Sequence, residues 1–297
     1  MSKEAKAAPS LVSRTGGDEA RRFGRVFFGR WPVTLGMIAM VVFLVVSAFG
    51  PLLAPYNPYT QQLRNVLAEP SLKHPLGTDS LGRDTLSRLI YGARITLAVG
   101  IVAVGIGAIV GTFLGLVAGF SGGWIYAVIM RVIDALMAVP PLLFALVLAS
   151  LLGTGVKNVM ISVGFSLMPT FARLVCGQTL SVKENEYVLA VRAAGAGSAR
   201  IMMRHVLPNC LSSIIVQTTL TVGGAILMEA SLSFLGLGIA PPAAAWGAMV
   251  YDGYRYLTTH PVLSLAPGLA VMIVVLAFNM IGDGLRDALD PRLRGVI

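Results

Sequence analysis

The chain has 297 residues, of which 56% are hydrophobic and only 12% charged, with a mean hydropathy of +0.78. Soluble domains carry about 25% charged residues. Uncharged runs of about 20 residues or more recur along the sequence, each able to cross a hydrocarbon core about 30 Å thick at 1.5 Å per residue. The roughly 10-residue alternation of membrane barrel strands is not seen, so the composition specifies an all-α, polytopic membrane protein.

The net charge of +9 has a membrane explanation: cytoplasmic flanks of membrane spans are enriched in Lys and Arg. No basic stripe with interleaved aromatics points to nucleic acid. Cys176 and Cys210 lie in or beside apolar stretches, and His74, His205 and His260 are scattered. No disulfide framework, metal spacing or cofactor motif follows.

Residues 1–32 form a polar, basic tail expected on the cytoplasmic side. The first span is expected over 33–54, closed by Pro51 and Pro55. Residues 55–94 read as an extracytoplasmic segment, whose "SLGRDTLSRLIYGAR" has the pattern of a short amphipathic helix on the membrane surface. Within it, "GTDSLGRD" spaces two glycines as a phosphate-binding loop does. It has Arg83-Asp84 where Lys-Ser/Thr is required, so no nucleotide site follows.

Residues 95–283 hold five more spans. Ile95 to Met130 is free of charge, and "FSGGW" divides it into a second span at about 95–119 and a third at about 125–151. The second carries Ala103, Gly107, Gly111, Gly115 and Gly119 at four-residue steps, a narrow face that lets another helix approach closely. The fourth span, about 158–180, is interrupted by Pro169 and Arg173. The fifth runs from Leu207 to about Leu235 and the sixth from Leu263 to about Ile281. Between the last two, "GLGIAPPAAAWGAMVYDGYRY" reads as a surface loop. Residues 284–297 form a second tail expected in the cytoplasm.

Charge sets the orientation. With the N-terminus inside, fifteen Lys and Arg lie on the inner side and seven on the outer, which favours both termini inside. Acids within spans are costly and are functional candidates by default; the two are Asp134 and Glu229. Asp134 follows Arg131 by three residues on one helix face, where the two can pair. Glu229 has no local partner. From these residues alone, a proton-coupled secondary transporter using Asp134 or Glu229 remains open.

"EYVLAVRAAGAGSARIMMRHVLPN" (186–209) is a basic segment between two apolar runs. It reads as two short helices meeting at Gly195 and Gly197, with Pro208 opening another helix. Tyr187, Val191 and Ala194 share one face of the first, and Ile201, Met202 and His205 one face of the second. A conformation with φ > 0, or close approach by a partner, would explain Gly195.

This segment resembles the EAA loop of the permease subunits of ABC importers. Ala190 stands at the first Ala of that pattern, Gly195 at its Gly, and Leu207-Pro208 at its final pair. Leu189, Val191 and His205 replace the pattern's Glu, second Ala and Ile, so a charge contact at 189 does not carry over. "HPLGTDSLGRDTLSRLIYGAR", "EASLSFLGLG" and "LAFNMIGDGLRDALDPRL" resemble the second permease subunit of dipeptide, oligopeptide, glutathione or nickel importers, and the resemblance spans about 33–295. It implies a six-span, MetI-like permease in a bacterial inner membrane, surrounded by lipid. It also implies a homologous second permease, two cytoplasmic ABC ATPase subunits and an extracytoplasmic solute-binding protein as partners. ATP hydrolysis would then belong to the partners. The coupling loop would be residues 181–207, using Tyr187, Ala190, Val191, Arg192, Ala193, Ala194, Gly195, Ala196, Gly197, Leu207 and Pro208.

Overall fold

The computed structural model describes residue 24 and residues 27–289; most of both tails lies outside them. Ten α-helices are described: α1 (Trp31–Leu53), α2 (Thr85–Ser121), α3 (Gly123–Met137), α4 (Pro141–Leu152), α5 (Val156–Val182), α6 (Glu186–Ala193), α7 (Ser198–Ile201), α8 (Leu207–Phe234), α9 (Trp246–Tyr254) and α10 (Val262–Leu289). A π turn, Met202–Val206, joins α7 to α8. Among the described residues the only extended pairing is one isolated bridge, Thr78 to Asp84. Five helices are long and apolar enough to cross a membrane, and the bent pair α3–α4 makes a sixth crossing if counted as one span.

α2 and α5 form the central and most extensive helix contact. At Gly107 an added Cβ would lie 2.9 Å from the Gly164 carbonyl oxygen, and at Gly111 2.5 Å from that of Met168. At Gly119 it would meet Thr179 Cβ at 2.7 Å. Ala103 is fully buried, and its carbonyl lies 2.9 Å from where a Cβ on Gly164 would be. The four-residue repeat therefore brings two backbones together along most of a membrane crossing. Dispersion contacts of this kind, rather than hydrophobic exclusion, hold helices together in lipid.

The remaining helices pack around this pair. α10 lies on α8 and α1, and Gly36 of α1 admits Met280. α3 contacts α2 and α5, with Ile133 buried against Met168 and Ala172. Two sets of contacts define two ends. At one end, Arg30 meets Asp287 at 2.5 Å, Lys183 Nζ donates to the Gly119 carbonyl at 2.9 Å, and the Arg192 guanidinium lies 5.4 Å above the Phe120 ring. At the other, Gly155 N–H donates to the Gly238 carbonyl at 3.2 Å, and Trp246 Nε1 donates to the Leu89 carbonyl at 2.8 Å.

Four local features depart from the sequence expectation. Thr85 to Arg94 is no surface helix. Asp84 caps it, accepting from Ser87 N–H at 2.8 Å, and it continues unbroken as α2. Its charges are satisfied by neighbours: Arg83 Nε donates to Asp79 Oδ2 at 2.6 Å and Arg88 Nε lies 3.4 Å from the same oxygen. His74 Nδ1 and Asp84 Oδ1 are 2.8 Å apart, and all of these residues are buried. The span expected at 125–151 is bent by 92° between α3 and α4. Pro141 biases Pro140 away from helical ψ, and Pro140 has φ −53°, ψ 133°. Residues 236–256 are not all loop, because Gly247 and Gly253 let α9 press onto Ala230 of α8 and Leu263 of α10. Finally, Asp134 pairs with Arg173 of α5 rather than with Arg131. Its neighbour Ile133 is buried against Ala172, which brings residues 134 and 173 together across the helix contact.

Two stability predictions follow from these contacts. Gly111→Ala forces backbone apart and should destabilise by about 1–3 kcal/mol, whereas Gly105→Ala, with open space around its Cβ, should not. Thermal unfolding of the two purified variants checks this; equal midpoints would show that α2 and α5 are not in close contact. In the charge cluster around Asp79, Asp79→Asn removes the carboxylate facing buried Arg83 and Arg88 and should cost roughly 3–5 kcal/mol. Asp252 is a weaker partner, 3.9 Å from Arg83, and burial pushes its carboxyl up against the pull of Arg88 and Arg83. Asp252→Asn should therefore stay within about 0.5 kcal/mol of the parent in the same assay.

Candidate coupling element and solute pathway

Residues 185–209 are held as one unit. α6 ends in a Schellman motif: Ala196 N–H donates to the Val191 carbonyl at 3.3 Å, and Gly195 N–H to the Arg192 carbonyl at 3.0 Å. Gly195 supplies the left-handed backbone this requires, at φ +86°. Gly197 has φ −67° and begins the next turn, its carbonyl accepting from Ile201 N–H at 3.1 Å. Val188, Ile201, Val206 and Cys210 are buried together with Leu116 of α2 and Val175 and Val182 of α5. The element is thus anchored on the ends of the central helix pair.

The buried face of α6 is set by Val188, with Val191 half-buried; Tyr187 and Ala194, grouped with Val191 by periodicity, are exposed. Ala190, Arg192, Ala193, Gly195 and Gly197 are also exposed, while Ala196 and Leu207 are half-buried. Periodicity cannot choose between a stripe through 187 and one through 188 in so short a helix. What remains open outward is a surface of mostly small side chains.

The second short helix is the first turn of a longer path, since Ser198–Phe234 runs on as one apolar helix. The π turn lies just before Pro208. Proline has no N–H and its ring clashes with the carbonyl four residues back, and the wider turn relieves both. The His205 carbonyl is taken up by side chains: Asn209 Nδ2 donates to it at 2.6 Å and to the Tyr187 hydroxyl at 2.9 Å. Asn209 was not among the sequence candidates. The one signal was an amide immediately after a helix-opening Pro.

Asn209 also begins a polar stripe. Asn209, Ser213 and Gln217 recur at four-residue steps on α8 and, with Ser212, Gln178 of α5 and Arg286 of α10, line an open cleft of about 550 Å³. Gln217 Nε2 extends the stripe by donating to Thr221 Oγ1 at 3.1 Å. On the neighbouring strip of α5, the Asp134–Arg173 pair is half exposed, with side-chain accessibilities of 48% and 52%. Glu229 lies apart from both. It is 1% exposed and accepts from Ser233 Oγ at 2.8 Å, which in turn accepts from Ile239 N–H at 3.2 Å. That chain of bonds fixes the turn after α8.

Small residues along a central helix pair, a broken crossing, and a cleft lined in part by polar side chains give the chain the build of a membrane-embedded helical bundle. The fold is that of an ABC transporter membrane subunit: a chain of the inward-facing MetNI methionine ABC transporter superposes with a TM-score of 0.56 at 19% identity, over 68% of this chain and 97% of that one. Residues 111–295 match the family described as "Binding-protein-dependent transport system inner membrane component", and residues 20–70 match the "N-terminal TM domain of oligopeptide transport permease C". The dipeptide transport system permease protein DppC of Alkalihalophilus pseudofirmus is 43% identical over 88% of this chain and 86% of its own length. The glutathione transport system permease protein GsiD of Escherichia coli O157:H7 is 43% identical over 92% and 90%. The chain belongs to the binding-protein-dependent transport system inner membrane component family and is a multi-pass inner-membrane importer permease of the DppC/OppC-like type. The secondary-transporter alternative falls away.

Proposed function

We propose that the chain forms half of the translocation pathway of a binding-protein-dependent ABC importer for a peptide or related small solute. A homologous permease supplies the other half, two ABC ATPases complete the assembly with one of them seated against residues 181–207, and a solute-binding protein delivers cargo from the opposite face. The cargo class rests on the relatives, whose names specify dipeptide and glutathione transport. The observation that carries the coupling role is the construction of the 185–209 element: a capped, internally bonded unit anchored on α2 and α5, with its small-residue face left open. Its His205 carbonyl and Tyr187 hydroxyl both accept from the Asn209 amide, where the polar stripe of the cleft begins, so a push on the element is felt at the pathway wall. The membrane face bearing Arg30, Lys183, Arg192 and Arg286 is cytoplasmic, by the same charge rule that orients other inner-membrane proteins.

Gly195→Val places a β-branched side chain at φ +86° and costs about 1–2 kcal/mol locally. Among the described residues, nothing lies within 4 Å of the position a Cβ would take there, so membrane insertion should persist. In a reconstituted complex, uptake and binding-protein-stimulated ATP hydrolysis should both fall, while Gly195→Asn, which tolerates this backbone, should retain most of both. Full uptake by Gly195→Val, or uptake that needs no ATPase subunit, would defeat the coupling role.

Orientation is checked with single cysteines in a chain lacking Cys176 and Cys210. An impermeant thiol reagent applied to intact cells should label Lys73→Cys and Tyr256→Cys but not Ser198→Cys; the reverse pattern would invert the topology.

A further inference from the structure

The Asp134–Arg173 pair joins two of the segments that cross the membrane. Asp134 is eleven residues beyond the start of α3 and Arg173 nine residues before the end of α5. At 1.5 Å per residue these are about 17 Å and 14 Å along the helices from their neighbouring ends, comparable with half the thickness of a hydrocarbon core of about 30 Å. Half-exposed charges at that depth cannot face lipid. The adjoining backbone leads to the same conclusion independently. Residues 137–141, where α3 breaks before α4, are all exposed, and irregular backbone at membrane depth is tolerated only inside protein or beside water.

The pair also has unused hydrogen-bonding capacity. One Arg173 nitrogen donates to one Asp134 oxygen, and among the described residues neither side chain has a second hydrogen-bond partner. A guanidinium has five donors and a carboxylate several acceptor sites. The rest must be met by water or by a passing solute. The exposed strip of α5 continues from Arg173 through Gly177, beside Gln178 of the polar cleft. The pair and the cleft thus share one helix as their floor. Arg131 is the other charge nearby, exposed one turn closer to the start of α3. The α3 terminus presents carbonyls toward the break, which favours a cation on the Asp134 side.

We propose that Asp134 and Arg173 form a station on the solute pathway that exchanges their mutual ion pair for the two ends of a zwitterionic solute. The ammonium group goes to Asp134 and the carboxylate to Arg173. This rests on the permease reading and assigns it a charge-reading site.

The test uses the assembled complex with Cys176 and Cys210 replaced by Ala, carrying either Arg173→Cys or Asp134→Cys. Thiols are reacted with cationic trimethylammonioethyl or anionic sulfonatoethyl methanethiosulfonate. Arg173→Cys, beside the remaining Asp134, should react about tenfold faster with the cation, and Asp134→Cys should show the opposite preference, a difference equivalent to about 1.4 kcal/mol. Alanylalanine should slow both reactions, and its N-acetyl, C-amide derivative should not. If either variant fails to assemble, Gly177→Cys carries the test of water access and protection, since its Cβ meets open space. Binding-protein-stimulated ATP hydrolysis of the parent complex is measured alongside. Stimulated hydrolysis with no labelling in any nucleotide condition would mean the pair is sealed between subunits, and the station is wrong while the permease reading stands. Labelling with no sign preference, or equal protection by the capped peptide, overturns the station as well. Absence of stimulation in the parent removes the permease reading, and the station with it.

Discussion

α2 and α5 touch backbone to backbone, and most of the molecule is organised by that contact. In lipid, an apolar side chain gains little by leaving one hydrocarbon surface for another, so helices associate where they can approach closely. Ala103, Gly107, Gly111 and Gly119 let the α2 backbone reach the carbonyls and Cβ atoms of α5. The pair then serves as a spine. α3 and α8 contact both of its helices, and the 185–209 element is seated on the ends of both. Such a spine resists sliding of the two helices past each other, because each close backbone approach would have to be broken at once.

The placement of the polar groups follows from what the spine leaves uncovered. α5 turns its Gly164, Met168 and Thr179 side toward α2 and exposes Arg173 and Gly177 on another side. The Asp134–Arg173 pair and the α8 polar stripe flank that exposed strip. Glu229, the other intramembrane acid, is taken up by Ser233 and the turn at Ile239. Burial separates the two acids: one is half open and has unused acceptors, the other is enclosed and holds a loop in place.

Much of this was legible in the sequence because its cause was local. Glycines four apart lie on one face of any α-helix, a Gly after a short helix marks a left-handed cap, and a Pro opens a helix. Gly195 and Pro208 could be read for those reasons. What could not be read depended on neighbours in space. Arg131 is three residues from Asp134 and Arg173 thirty-nine, yet the tertiary contact decides the partner. Trp246 to Tyr254 looked like loop because its glycines and alanines serve packing against α8 and α10 rather than turns. The bend at Pro140-Pro141 was visible in principle, as two consecutive prolines within an uncharged run, but hydropathy alone passes over it. The stripe of Asn209, Ser213 and Gln217 is built from residues too ordinary to signal a site until the cleft assembles them.

The π turn at Met202–Val206 sets the angular phase of α8. A π turn holds one residue more than the α-helix would use, and each residue advances the helix by about 100°. The element at 185–201 and the stripe beginning at Asn209 therefore stand in a rotational relation that an unbroken α-helix would not give. With one residue fewer between Ile201 and Leu207, Ser213 and Gln217 would swing about a quarter-turn away from the cleft while every apolar count along α8 stayed the same. The extra residue works as a keyway, fixing the 185–201 element in register with the polar stripe of α8.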